Sequence, residues 1–356
     1  MKLTSLLFMF LLSSVAPVLA DDNVTLTPTM VPAGTTTPDY FVGIRLDNTT
    51  QNIEGYQMDI TLPEGFAFYK TDGNPLGVAN TDRLVGQNGT QWTIASRSLS
   101  ARTARFVVSN LANAPVKGTT GELFKVAVVA DAAVVGGNHV CTVSNIRLAV
   151  KNSRTDRVLA DGEGYVRALT QETIALTVPE GGFATFCCPF NALLPRGLKA
   201  YKATGVEGDR VVLTSQSSIQ AGVPMLIAGD ANTYQFQGNN SNMTQFEYSD
   251  GILTAPLIPT VYTEGYVLQK QDAGLGFYKI AEPKLVPAYR CVLDASAAAE
   301  GHSFFGIVLD DEEPSAVESI AADGEDMTVY TLDGKKVREM RKGQVYIING
   351  VKVIIR

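Results

Sequence analysis

Polar and apolar residues alternate with a period of two along much of the chain. In "GYQMDITLP", Tyr56, Met58, Ile60 and Leu62 fall on one side and Gln57, Asp59 and Thr61 on the other. A strand buried on one face reads this way, whereas an amphipathic helix repeats near 3.6 residues. The same rhythm predicts strands in "VTLTP", "DYFVGIRLDN", "QWTIASRSL", "RTARFVVSNL", "GELFKVAVVAD", "HVCTVSNIRLAV" and "GEGYVRAL". Strands with one apolar side predict a two-sheet sandwich over residues 21–169. A second set, cut by Gly and Pro turns, predicts a small barrel or sandwich over residues 170–309. The pattern breaks at the acid-rich "DDEEPSAVESIAADGED", read as a solvated linker over 310–326. In 327–356, Asp333-Gly334 and Asn349-Gly350 sit between β-branched runs, and such dipeptides close two-residue hairpin loops. Two short hairpins are predicted there, with Val345, Ile347, Val353 and Ile355 on one buried face. Helical periodicity is nearly absent, so the fold class is all-β.

Residues 1–20, "MKLTSLLFMFLLSSVAPVLA", do not alternate. One Lys, an apolar core shorter than a bilayer span, then Val18 and Ala20 predict a secretory signal peptide. The expectation is a protein that is secreted or held at the outer cell surface, with no membrane span. The remaining length exceeds one core and suits two domains with an appendage. The net charge of −7, without a Lys/Arg cluster, argues against nucleic acid as a partner.

The order "IEGYQMDITLPEGFAF", "ARFVVSNLANAPVKGTTGELFKVAVVAD", "CTVSNIRLAV" resembles a cohesin-like module. The resemblance spans most of residues 22–168 and implies a jelly-roll β-sandwich that binds dockerins or carbohydrate. No repeated "D-x-N-x-D-G" loop of a dockerin occurs in the chain, so a partner would be another molecule. "YVLQKQDAGLGFYK", Tyr266 to Lys279, resembles a strand pair of exported surface proteins of anaerobic Gram-negative gut and oral bacteria. "VYTLDGKKV", "KGQVYII" and "KVIIR" resemble the C-terminal sorting tail of type IX secretion cargo, which implies a contact with secretion machinery.

Residues able to do chemistry are few. The two histidines, His139 and His302, stand in turn-like contexts without a neighbouring Ser or Cys motif. Glu54, Asp59, Glu64, Asp161 and Glu163 are the carboxylates weighed for glycosidase chemistry, and they read as surface charge. Asp156, Asp161 and Glu163 share one hairpin but lack the spacing of a calcium loop. No catalytic, metal or cofactor residue is assigned. Tyr266, Phe277 and Tyr278 are candidate ligand-contact aromatics, since adjacent strand residues face opposite ways and one of the last two could be exposed. Trp92 shares a face with Ile94 and is expected in the core. Cys187, Cys188 and Cys291 are candidate disulfide cysteines; of the adjacent pair at most one could reach Cys291, and free buried thiols are the favoured state. The function expected is a non-catalytic exported or cell-surface protein that binds an extracellular protein or glycan. The alternative is an accessory component or enzyme of extracellular polysaccharide breakdown.

Overall fold

The computed structural model describes residues 22–49, 52–79, 82–84, 92–294, 296, 301–307 and 309, with the backbone of four strands between 329 and 354. Its regular elements are strands, as the alternation requires. Tyr56, Met58, Ile60 and Leu62 are all within 3% of full burial.

The first strands form a two-sheet sandwich. The smaller sheet runs Asn23–Thr27, Tyr40–Asp47, Glu122–Ala130, Phe66–Phe68, with Gly77–Ala79 also against Glu122–Ala130. The larger runs Thr29–Pro32, Gly162–Leu169, Gly137–Val150, Ile53–Thr61, Thr103–Asn110, Trp92–Ser98, with Arg157–Val158 also against Gly137–Val150. The inward residues of both meet in one core. Phe124 of the smaller sheet packs against Phe106 and Tyr56 of the larger, at ring-centroid distances of 5.6 and 5.9 Å. Asp72 and Gly73 close a hairpin with φ of 53° and 81°, which a β-branched residue would strain to adopt.

Thr170 alone separates the strand Gly162–Leu169 from Gln171–Val178. The strands beyond it form a ten-stranded sheet in the order Phe183–Cys187, Pro224–Ala228, Lys199–Glu207, Arg210–Gln216, Phe304–Ile307, Gly274–Lys279, Tyr266–Gln271, Val292–Leu293, Leu253–Pro256, Glu247–Asp250. Its last strands return to its first: the Ile252 amide donates to Ala203 O at 3.1 Å, curling the sheet into a barrel. The ribbon of Gln171–Val178 with Asn232–Asn239 closes one side, placing Ile174, Leu176 and Phe236 against Phe186.

Sandwich and barrel meet over a buried polar knot. Arg167 points out of the larger sheet yet is fully buried, with Nη2 donating to Glu172 Oε2 at 2.5 Å. Its Nη1 donates to Asn138 Oδ1 at 2.9 Å and to the Tyr289 hydroxyl at 3.1 Å. Tyr289 donates to Glu172 Oε1 at 2.6 Å, and Asn240 Nδ2 to Glu172 Oε2 at 2.8 Å. Asn240 also accepts from the Thr170 amide and donates to Ala168 O, so it grips the connection itself. Tyr289 holds a left-handed φ of 66°, a strained backbone for an aromatic residue. Burial pushes its hydroxyl pKa well above the ordinary tyrosine range, so it stays a donor.

The chain divides into two units, one ending at Gly306 and one beginning at Ile307. In the second, Lys336–Val337, Val329–Thr331, Val345–Ile348 and Val351–Ile354 form an antiparallel sheet in that order. The turn dipeptides Asp333-Gly334 and Asn349-Gly350 lie outside the described residues, as do 310–326 and the signal segment 1–20. The register pairs Val345 with Ile354 and Tyr346 with Val353, which sets Val353 out of phase with Val345 and Ile347 and corrects the single face expected for these with Ile355, which lies outside the described residues.

Replacing Arg167 by Ala strands the Glu172 charge, and losing one member of a buried pair costs about 3–5 kcal/mol. Urea melts of the Arg167→Ala chain should show that loss, and Arg167→Met with Glu172→Leu should recover part of it. A loss below about 1 kcal/mol would mean that the pair is solvated like a surface bridge.

Candidate functional site

Away from the Arg167 knot, the outward face of the larger sandwich sheet is open over Trp92–Ser98 and Thr103–Asn110. Its strands bury Tyr56, Met58 and Ile60, then Ala104, Phe106 and Val108, so Gln57, Asp59 and Thr61 stand outward beside Thr103, Arg105, Val107 and Ser109. The register sets Arg105 opposite Asp59 on one side and Arg97 on the other. Arg105 grips the carboxylate with both arms, Nε to Oδ1 at 2.7 Å and Nη2 to Oδ2 at 2.8 Å.

A register shift in Gly137–Val150 between Ser144 and Arg147 inserts one extra residue there, a β-bulge. Asn145 takes a φ of 50°, which Asn tolerates, and its Nδ2 donates to Asp59 Oδ2 at 3.2 Å. The broken alternation in "VSNIRL" was the sequence signal for this bulge. Around the ion pair, the Thr61 and Thr103 hydroxyls bond at 3.1 Å, and Val107, Val140 and Val158 are exposed at 41%, 47% and 64%. Arg147 sits opposite both Gln57 and Val158. The face is studded with valines and carries Arg97, Arg105 and Arg147 against Asp59 and Glu163. The hydrogen bond from Arg105 is the largest influence on Asp59 and holds its carboxyl below the usual range despite partial burial.

The aromatics singled out from sequence are placed differently. Tyr266 is buried, its hydroxyl donating to His302 O at 2.8 Å and its ring edge-on to Phe305. Phe277 is fully buried. Neither can form a contact surface, because that side of the strand pair faces the barrel interior. Tyr278 faces the other way and is half-buried beside Phe304, with ring centroids 4.8 Å apart.

Cys187, Cys188 and Cys291 are free and buried, as is Cys141. Hydrogen bonds from the Cys187 amide to Tyr289 O and from the Cys291 amide to Thr185 Oγ1 lay the segment 289–291 beside Phe183–Cys187, while Cys188 joins the core under the ribbon. Burial pushes the Cys291 thiol up to about 12 and the Cys188 thiol to about 12.

Trp92 is buried against Tyr56, with Ile94 packed on the same core. His139 lies edge-on to Phe66 with Nε2 2.7 Å from Val135 O, and His302 stacks on Phe305. Glu54 pairs with Lys151 at 3.3 Å, while Asp156, Asp161 and Glu163 are exposed. Among the described residues no group of three His, Cys, Asp or Glu side chains is arranged to hold a metal.

No protein-family model matches this chain, and no curated protein matches it in sequence. Among solved structures it is similar to cohesin modules. A non-cellulosomal cohesin from the archaeon Archaeoglobus fulgidus is 12% identical, with a TM-score of 0.31, over 42% of this chain and 93% of that one. The sixth cohesin of scaffoldin B from Acetivibrio cellulolyticus, solved in complex with a dockerin, is 15% identical, with a TM-score of 0.31, over 42% and 99%. The cohesin module of a Clostridium perfringens family 33 glycoside hydrolase is 11% identical, with a TM-score of 0.30, over 42% and 96%.

The Asp59–Arg105 pair sets a pH signature. An unfolded Asp titrates near ~3.9, and the folded carboxyl titrates lower, so the stabilisation is present above that value and lost as the pH falls through the folded one. The stability difference between the native chain and Asp59→Asn should be flat from about pH 7 to 5 and shrink below about pH 4. Denaturation midpoints across that range check it; a difference that grows on acidification is the opposite outcome.

Proposed function

We propose that this is a non-catalytic exported or cell-surface binding protein whose cohesin-like sandwich engages an extracellular protein through the open face of its larger sheet. The observation that carries it is the arrangement on that face of Val107, Val140 and Val158 around the tethered Arg105 and Asp59. A sheet surface mixing exposed valines with arginines suits a protein partner, since interfaces are enriched in Arg and gain most from desolvated apolar contacts. It is not a concave pocket of the kind that encloses a small ligand. Arg105 is held in place before any partner arrives, which lowers the ordering cost of binding.

The division into a sandwich over 21–169, a barrel over 170–309, an acidic linker and a hairpin tail belongs to the same proposal. The signal-like segment 1–20 delivers the chain for export. The tail at 327–356 acts as a sorting element for secretion machinery, and the acidic stretch keeps it within reach.

Two measurements test this. Val107→Glu with Val158→Glu places two charges on the face without touching the core. A partner captured from the extracellular fraction of the native host and then purified should bind the double variant at least about tenfold more weakly by calorimetry, on the order of 1.4 kcal/mol. Equal binding by a variant of unchanged melting temperature would exclude this face. For the tail, truncation after Asp326 in the native host should abolish surface display while the rest of the protein stays folded; normal display of the truncated chain would show that the tail does not sort.

A further inference from the structure

The barrel carries a second surface, distinct from the sandwich face. The register places Gln269, Gln271, Gly276, Tyr278, Phe304 and Gly306 on one side of three adjacent strands, with Gly276 opposite both Gly306 and Gln269, and Tyr278 opposite Phe304. Strand side chains usually stand away from the sheet. Here the two rings lie along it.

The Tyr278 hydroxyl donates to Gly274 O at 2.7 Å, so the side chain runs back along its own strand past Gly276. Phe304 covers the same glycine: a Cβ on Gly276 would sit 2.4 Å from Phe304 Cε2 and 2.3 Å from Phe305 O. Only glycine allows that approach. The centroids are 4.8 Å apart and the planes meet at 47°, forming a shallow aromatic trough in which each ring is half-buried. Beside it Gln271 Nε2 donates to Gln269 Oε1 at 2.6 Å, which aligns two planar amides along the rim. Each amide retains donor and acceptor capacity for a hydroxyl.

We infer that this trough is a carbohydrate-binding platform for the apolar face of a pyranose ring in a neutral glycan. An aromatic face carries the negative part of its quadrupole and attracts the weakly positive C–H groups of a sugar face, while equatorial hydroxyls reach outward to groups at the rim. The described positions of this side, from Val267 to Gln271 and from Gly276 to Ile280, carry no charge, which favours a neutral sugar. A ring over glycine also stabilises a sheet by covering bare backbone. That role uses only the inner face of Phe304; it requires neither the Tyr278 tether nor the paired amides.

The test is affinity electrophoresis of the full chain through native gels containing barley β-glucan, xyloglucan, galactomannan, arabinoxylan or pullulan. Retardation is expected in at least one gel. Tyr278→Ala and Gln269→Ala should each weaken it about tenfold or more, and Tyr278→Phe, which keeps the ring, should stay within about threefold. Gln269 lies at the rim, so Gln269→Ala keeps the core intact and decides the matter even if Tyr278→Ala unfolds, which circular dichroism melts would reveal. No retardation in any gel, or retardation that Gln269→Ala leaves unchanged, overturns the inference. Val107→Glu with Val158→Glu should leave retardation unaltered, which keeps this surface separable from the sandwich face.

Discussion

The fully buried guanidinium of Arg167 organises the junction of sandwich and barrel. Arg167 belongs to the outward set of its strand, where a guanidinium would ordinarily be solvated. The barrel covers it, and a charge removed from water must be paired and hydrogen-bonded or it becomes a liability. Glu172 supplies the opposite charge from just across the one-residue connection. Tyr289, Asn138 and Asn240 supply the remaining partners from distant parts of the chain. Since each carboxylate oxygen and most guanidinium donors are used, sandwich and barrel have little freedom to slide without stranding a charge.

The same rule, that a sheet has two faces and only one need be covered, underlies both of the proposed recognition surfaces. On the sandwich, the part of the outward face that the barrel leaves uncovered keeps its polar set in order through the Arg105–Asp59 grip, with the Asn145 bulge adding a third contact. On the barrel, a glycine opposite another glycine removes two side chains and lets aromatic rings lie down in their place. One surface is made by side chains standing up and the other by rings lying flat, which is why they suit different ligands. Joined through Arg167, they would be presented in a constant relation to one another.

Much of the strand plan was legible because it is local. Alternation in "GYQMDITLP" assigned Tyr56, Met58 and Ile60 to a core, and Trp92 was correctly placed inward beside Ile94. Local pattern also showed that Phe277 and Tyr278 face opposite ways. It did not say which way was in, and Tyr266, grouped with them as a candidate contact, proved to be interior.

What the sequence by itself determined is the identity of the strands, the pairing of residues onto faces and the location of several turns. These follow from the two-residue period of an extended chain and from the steric tolerance of Gly, Asn and Asp. Only the tertiary structure decided which faces are covered. Arg167 in "GEGYVRAL" reads as an exposed charge and is instead sealed beneath Tyr289, 122 residues further along the chain. Phe304 precedes the fully buried Phe305 yet lies beside Tyr278 over Gly276. Burial depends on what packs from elsewhere in the chain, and no local period carries that information.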